Sequence, residues 1–428
     1  MAEAVAARTF RKSSKRRHTT LRAGLGSREG VAVGRWRGVG ITLGCAAVLA
    51  AGGGTVSQAA VPVKAPVTDE AKLPQVPEYV EMETGCTRKS RRVEKRTPWG
   101  QQLLGVRPAQ ELSLGEGVTV GIVDTGVDTV VPALEGRASG DGKQDCVGHG
   151  TFTAGIVAGA RQEGIGFVGV APQARVFGVR ATTPEGATDA DAIADGIDVA
   201  VRRGSEVVLV SVAYGKSSKQ LRAAVERAAK HDVVVVAPAS GGQQSSAPAY
   251  PAALPGVVSV ASVGLDGGPF PAGRKALPSA PDLVAPGDRV MSVGPGGGSF
   301  TGGGDSVAAA FVAGAAALVR AHEPSLSAGA VGNRLRATAL RTSGSVPDPD
   351  TGYGLVDPAG AISGVVAESA PATVPQNAVG DPYHVPEQRT VSSLPAWGIV
   401  AGSVFVIMLT GAAAVLVPRG RARGWRAG

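Results

Sequence analysis

Between Gly302 and Ala321 the chain reads GGGDSVAAAFVAGAAALVRA, and this stretch limits the fold more than any other. From Val307 to Val319 almost every side chain is small and apolar. A helix built from such a run has no face to offer water, so it must pass through the core of a sizeable domain. Gly302, Gly303 and Gly304 precede it and permit a turn that residues with a β-carbon would resist. Ser306 then opens the buried helix. A serine in that place is either an N-cap or a hydroxyl aimed outward for chemistry, where the positive end of the helix dipole favours negative charge.

A chain of 428 residues with 43% hydrophobic and 18% charged residues has enough apolar surface for one large domain or two to three ordinary ones. Its net charge of +8 is a property of the ends: residues 1–60 carry +8 and the last ten carry +4, which leaves −4 for everything between. The globular part is mildly acidic, so the basic balance does not argue for nucleic-acid binding.

Both basic ends flank apolar segments. Gly38–Ala51 follows Arg35 and Arg37, and Ser57-Gln58-Ala59 has a small-x-small pattern. Residues 1–60 therefore read as an export signal with a long basic leader. Residues 396–417 form an uncharged apolar run, long enough to span a hydrocarbon core of about 30 Å. Arg419, Arg421, Arg423 and Arg426 follow it at once, which predicts a membrane anchor with the tail 418–428 in the cytoplasm and the bulk of the chain outside. Cys45 lies in the signal. Cys86 and Cys146 remain, an even number in an exported chain, so a disulfide is expected in preference to two free thiols.

Residues 61–97 are rich in Pro, Val and charge without clear periodicity and read as an extended arm. From Pro98 to about residue 363, β-branched runs alternate with helical spacing. Strands are expected near 118–124, 174–180, 206–212, 233–237 and 257–263, with helices over 189–203, 219–231 and 326–339. The fold class is therefore α/β, a doubly wound parallel sheet with helices on both faces. Residues 364–395 are Pro/Ser-rich and read as a linker. Gly164 to Gly169 matches a dinucleotide fingerprint by letter, but follows a helix and not a strand, so no cofactor is expected. The carboxylates are too scattered to argue a metal ion.

Three polar residues fall at element ends. Asp124 ends the strand GVTVGIVD, His149 in GHGT opens a helix, and Ser306 opens the buried one. A carboxylate at the carboxyl end of a central parallel strand is where such sheets place sites. A serine hydroxyl needs a base to become nucleophilic, and the base needs a carboxylate to fix its tautomer.

With those residues in view, the chain from Pro98 to Ile362 resembles the subtilisin-like serine proteases. The blocks carrying the resemblance are VTVGIVDTGVD, GHGTFTAGIVAG, VGVAPQARVFGVRA, YPAALPGVVSVASV, LVAPGDRVMS, GDSVAAAFVAGAAAL and GYGLVDPAGAI. The export signal, the cysteine before GHGT and the anchor are similar to the mycosins, the membrane-bound proteases of actinobacterial type VII secretion. The resemblance implies that Asp124, His149 and Ser306 form a charge relay, that the substrate is a polypeptide, and that the partner is a secretion complex in the membrane.

Three departures from the family pattern stand out. The nucleophile block has Asp305 and Ala310 where the pattern has Thr and Pro. The asparagine that donates to the oxyanion falls on Gly241, with Ser240, Gln243 and Gln244 nearby as substitutes. The substrate-lining block reads Leu209-Val210-Ser211-Val212-Ala213. Two functions follow: a slow, membrane-anchored serine endopeptidase, or an impaired pseudo-protease that keeps the fold to bind or brace a secretion machine.

Overall fold

The computed structural model describes residues 72–364, except 82, 84, 141–143, 242–246, 274–275 and 342–345, together with 408–410, 412 and 416–424. The expected signal (1–60), nearly all of the linker (364–395) and most of the expected anchor (396–417) lie outside the described residues. Among the described residues no helix is long and apolar enough to cross a membrane.

Seven strands make the central sheet: β1 (Thr119–Asp124), β2 (Ala138–Gly140), β3 (Arg175–Arg180), β4 (Val207–Val210), β5 (Val234–Pro238), β6 (Val257–Val263) and β7 (Leu283–Pro286). They lie in the order β2-β3-β1-β4-β5-β6-β7, every neighbour parallel. The five strands expected from the β-branched runs are β1, β3, β4, β5 and β6, within two residues at each end.

Both faces of this sheet are covered, and the sequence of β4 shows why its strands are apolar throughout. Val207 and Leu209 point into one core and Val208 and Val210 into the other. Alternate side chains of a strand face opposite sides, so a sheet buried on both sides needs an unbroken apolar run. The first core holds α3 (His149–Ala158) and α6 (Asp305–His322); the second holds α4 (Ala190–Arg202) and α5 (Lys219–Lys230). In α4 the buried Ile193, Ala194, Ile197 and Ala200 recur at helical spacing. Asp189 caps its start, accepting from the N–H of Asp191 at 2.9 Å and of Ala192 at 2.8 Å. In α6 every side chain from Val307 to Val319 is buried, as an all-apolar helix requires.

Short helices α1 (Trp99–Leu103) and α2 (Val106–Leu112) precede the sheet, and α7 (Ala328–Ala337) and α8 (Pro358–Ser363) follow α6. A hairpin of β8 (Val290–Val293) and β9 (Ser299–Gly302) feeds directly into α6. Neither β2, β7 nor this hairpin is among the expected strands, because none of them lies in a long β-branched run like the one that marks β4.

The arm is tied down along its described length. Val76 N–H donates to Thr301 C=O at 2.8 Å, and Thr301 N–H to Pro74 C=O at 2.9 Å. Val80 N–H reaches Glu185 C=O at 2.9 Å, in the loop after β3. The expected disulfide joins Cys86 to Cys146, with α-carbons 4.4 Å apart, and Thr87 N–H donates to Cys146 C=O at 2.8 Å. Ser299 N–H then donates to Arg92 C=O at 2.8 Å. The arm thus leaves β9, crosses two loops, and returns to it.

Candidate active site

The order of the sheet reverses at β1, whose neighbours are β3 on one side and β4 on the other. That leaves a crevice beyond the carboxyl ends of β1 and β4. Asp124 is the last residue of β1, and His149 the first of α3. Ser306 sits in the first turn of α6, after Gly304 at φ 104°, a backbone state that favours glycine. The first helical hydrogen bond of α6 runs from Ala308 N–H to Gly304 C=O. The N–H of Ser306 therefore has no acceptor within its own helix.

These three side chains meet. His149 Nδ1 lies 2.9 Å from Asp124 Oδ1 and 2.8 Å from Oδ2, while Nε2 lies 3.0 Å from Ser306 Oγ. Asp124 is fully buried. Its carboxylate also accepts from Thr125 N–H at 2.7 Å, from Thr153 Oγ1 at 3.1 Å and from the Ser211 hydroxyl. Burial pushes its pKa up, but the His149 charge and the hydrogen bonds from His149, Ser211 and Thr125 outweigh burial and hold it below the ordinary value. Burial pushes His149 down. Asp124 above all, with Asp145 and Glu78, outweighs it and holds the imidazole above its ordinary value. Such a relay has the geometry of a nucleophile, a general base and the carboxylate that orients the base.

Asp145, which carries no motif of its own, braces this arrangement from behind. It is buried, and each oxygen takes two donors. Oδ1 accepts from Thr125 Oγ1 at 2.8 Å and Gly148 N–H at 2.7 Å. Oδ2 accepts from Thr151 N–H and Thr151 Oγ1, both at 2.7 Å. Thr125 Oγ1 in turn accepts from Gly150 N–H at 3.0 Å. The residue after Asp124 and the turn around His149 are thereby fastened to one carboxylate, next to Cys146. Burial pushes Asp145 above its ordinary value, with Asp124 adding to the rise. Its one sequence signal is a position four residues before His149.

The sequence pattern of the subtilase family (peptidase S8) matches residues 115–356, more than half of the chain. The chain belongs to the subtilase family. Mycosin-1 of Mycobacterium tuberculosis is 31% identical over 363 residues, which cover 69% of this chain and 80% of that protein. The alkaline protease of Alkalihalobacillus alcalophilus is 34% identical over 278 residues, 63% of this chain and 71% of that protein. Among solved structures, MycP1 from Mycobacterium smegmatis matches with a TM-score of 0.58 at 28% identity, over 71% of this chain and 96% of that one. The MycP3 protease from the type VII (ESX-3) secretion system matches at 0.56 and 27% identity, over 68% and 95%. This subtilase is a serine endopeptidase similar to the mycosins.

A cavity of about 490 Å³ opens over Ser306, with His149, Ser211, Ser240 and Gly241 also in its wall. Of the residues that depart from the family pattern, Gly241, Asp305 and Ser211 lie here, and Ala310 does not. Gly241 offers no side-chain donor. Ser211 directs its hydroxyl to Asp124. Ser240 donates to Asp305 Oδ2 at 2.6 Å, so both serines are engaged away from a developing oxyanion. Gln243 and Gln244 lie outside the described residues. Asp305, beside Ser306, is buried and accepts on Oδ1 from Ser262 N–H at 2.8 Å and Ser262 Oγ at 2.5 Å. These bonds fasten Asp305 to β6.

Proposed function

We propose that this protein is a membrane-anchored, extracytoplasmic serine endopeptidase that works beside a type VII secretion complex, with Asp124, His149 and Ser306 as its charge relay. The observation that carries this reading is the imidazole of His149, in hydrogen-bond reach of Asp124 on one side and Ser306 on the other. Ser306 Oγ attacks the scissile carbonyl carbon as its proton passes to His149 Nε2. Asp124, ionised, holds Nδ1–H and stabilises the imidazolium. The proton then goes to the leaving amine, and water releases the acyl group by the same route in reverse. The N–H of Ser306 is the oxyanion donor at hand. The second donor, a side-chain amide in subtilisin, is replaced by Gly241, and its loss costs about 10²–10³ in turnover in subtilisin itself. The enzyme is therefore slow and not inert. The uncharged run 396–417 followed by four arginines supports the anchor, and the similarity to MycP1 and MycP3 supports the secretion partner.

The test is covalent. A fluorophosphonate should label the full chain in membranes, and Ser306→Ala should abolish the label. An alkaline wash should leave the labelled protein in the membrane fraction, and truncation after residue 395 should release it. A folded wild-type chain that stays unlabelled would remove the enzymatic reading, and a wash that releases it would remove the anchor.

A further inference from the structure

The cavity over His149 and Ser306 is not lined by the peptidase domain alone. Glu78 and Tyr79 belong to the N-terminal arm, yet they stand in the wall of the cavity that holds His149 and Ser306. The backbone places them there. Val80 N–H is bonded to Glu185 C=O at 2.9 Å, and the arm packs so closely on this loop that a β-carbon on Gly186 would lie 2.8 Å from the carbonyl oxygen of Glu78. Further on, the arm is locked by the Cys86–Cys146 bond. Glu185 lines the same cavity.

The chemistry of this wall is specific. Neither the Glu78 nor the Glu185 carboxylate has an ion-pair partner among the described residues, and no lysine or arginine among them lines the cavity. Tyr79 leaves 68% of its surface exposed in the same wall as the two acids. Glu78 is also close enough to help raise the pKa of His149. These carboxylates differ from a solvated acidic edge in their place: they line the same cavity as Ser306.

We propose that the arm forms one wall of the substrate cleft, and that Glu78, Glu185 and the Tyr79 ring together take a lysine or arginine side chain near the scissile bond. A long cationic side chain suits all three. Its charge pairs with the carboxylates, and its cationic head and alkyl stem lie against the aromatic face. The site would select substrate by charge and leave the attack on the carbonyl to the relay. This inference rests on the proteolytic reading for its substrate but has a separate readout.

The probe is an alanine-based, internally quenched octapeptide carrying Lys, Arg, Gln or Glu in turn at each position. With the full chain, Lys and Arg should raise kcat/KM over Gln by about three- to tenfold at one position or two adjacent ones, and Glu should lower it, as partly solvated ion pairs allow. Glu78→Gln with Glu185→Gln should bring the Lys-to-Gln ratio to about one, and each single change should reduce it. Salt near 1 M, where the screening length is about 3 Å, should reduce the ratio with no variant at all. Binding of the same peptides to Ser306→Ala, read by anisotropy, reports the same preference without turnover. A ratio of one at every position in both assays, or a ratio kept in the double variant, would overturn the proposal. Preference in binding without cleavage by the wild type would leave the subsite standing and overturn the proteolytic reading.

Discussion

Gly150 faces the carbonyl oxygen of Gly126 so closely that a β-carbon on Gly150 would lie 1.9 Å from it, and 3.0 Å from the β-carbon of Asp124. The two segments bearing Asp124 and His149 touch backbone to backbone, and that contact brings the imidazole onto the carboxylate. Gly150→Ala should therefore do two things. Overpacking a filled site costs about 1–3 kcal/mol, which thermal unfolding will show as a lower midpoint. A displacement of His149 by about 1 Å should also slow fluorophosphonate labelling on the order of 10²-fold. Labelling at the wild-type rate would mean that the contact does not position the relay.

The pH profile follows from the direction of the His149 shift. His149 must be neutral to accept the Ser306 proton, and Asp124, Asp145 and Glu78 hold its pKa up against burial. The acid limb of kcat/KM should thus lie above about 6.5, the ordinary histidine value. For stability, the raised His149 contributes fully below its unfolded value, and that contribution is lost as pH rises through its folded one. The lowered Asp124 contributes above its ordinary value, and that part is lost as pH falls through its folded one. The pair stabilises most between the two. Asp124→Asn should lower turnover on the order of 10⁴-fold and move the acid limb down; a limb that stays put would contradict this account.

Asp145 should be replaceable by no neutral isostere. Its two oxygens take four donors, and an asparagine would turn an amide nitrogen toward two of them. An unmet buried donor costs about 1–3 kcal/mol. Asp145→Asn should lower kcat with little change in KM and shift the acid limb downward, since a charge that supports the His149 imidazolium is gone. An unshifted limb with lower stability alone would reduce Asp145 to a structural role.

Around Gly241 there is open space: a β-carbon at this position would have no neighbour within 4 Å among the described residues. Gly241→Asn should fit and raise peptide-ester turnover by up to about 10²–10³. Because Asp305 is bonded to Ser262 N–H, adding Asp305→Thr should destabilise the fold by about 1–3 kcal/mol without a further gain in rate. Background turnover in a folded Gly241→Asn enzyme would show that the missing amide does not limit the rate.

The strands β1, β3, β4, β5 and β6, the helix α6 and the places of Asp124, His149 and Ser306 were legible in the chain itself. Burial along one element leaves a period in its own sequence, and seven ordered blocks carried the family resemblance. The short β2 and β7, the β8–β9 hairpin, the brace at Asp145, the turning of Ser211 and Ser240 onto carboxylates, and the arm's entry into the cleft were not. Ser240 and Asp305 are 65 positions apart and Val80 and Glu185 are 105 apart, and no local period records which of two hydroxyls faces a carboxylate. The sequence determined which segments are buried and which polar residues end them. The direction of each polar side chain was decided only when packing of the two cores fixed the loops against one another, because a hydrogen bond forms over about 3 Å and is set by the position of both its ends.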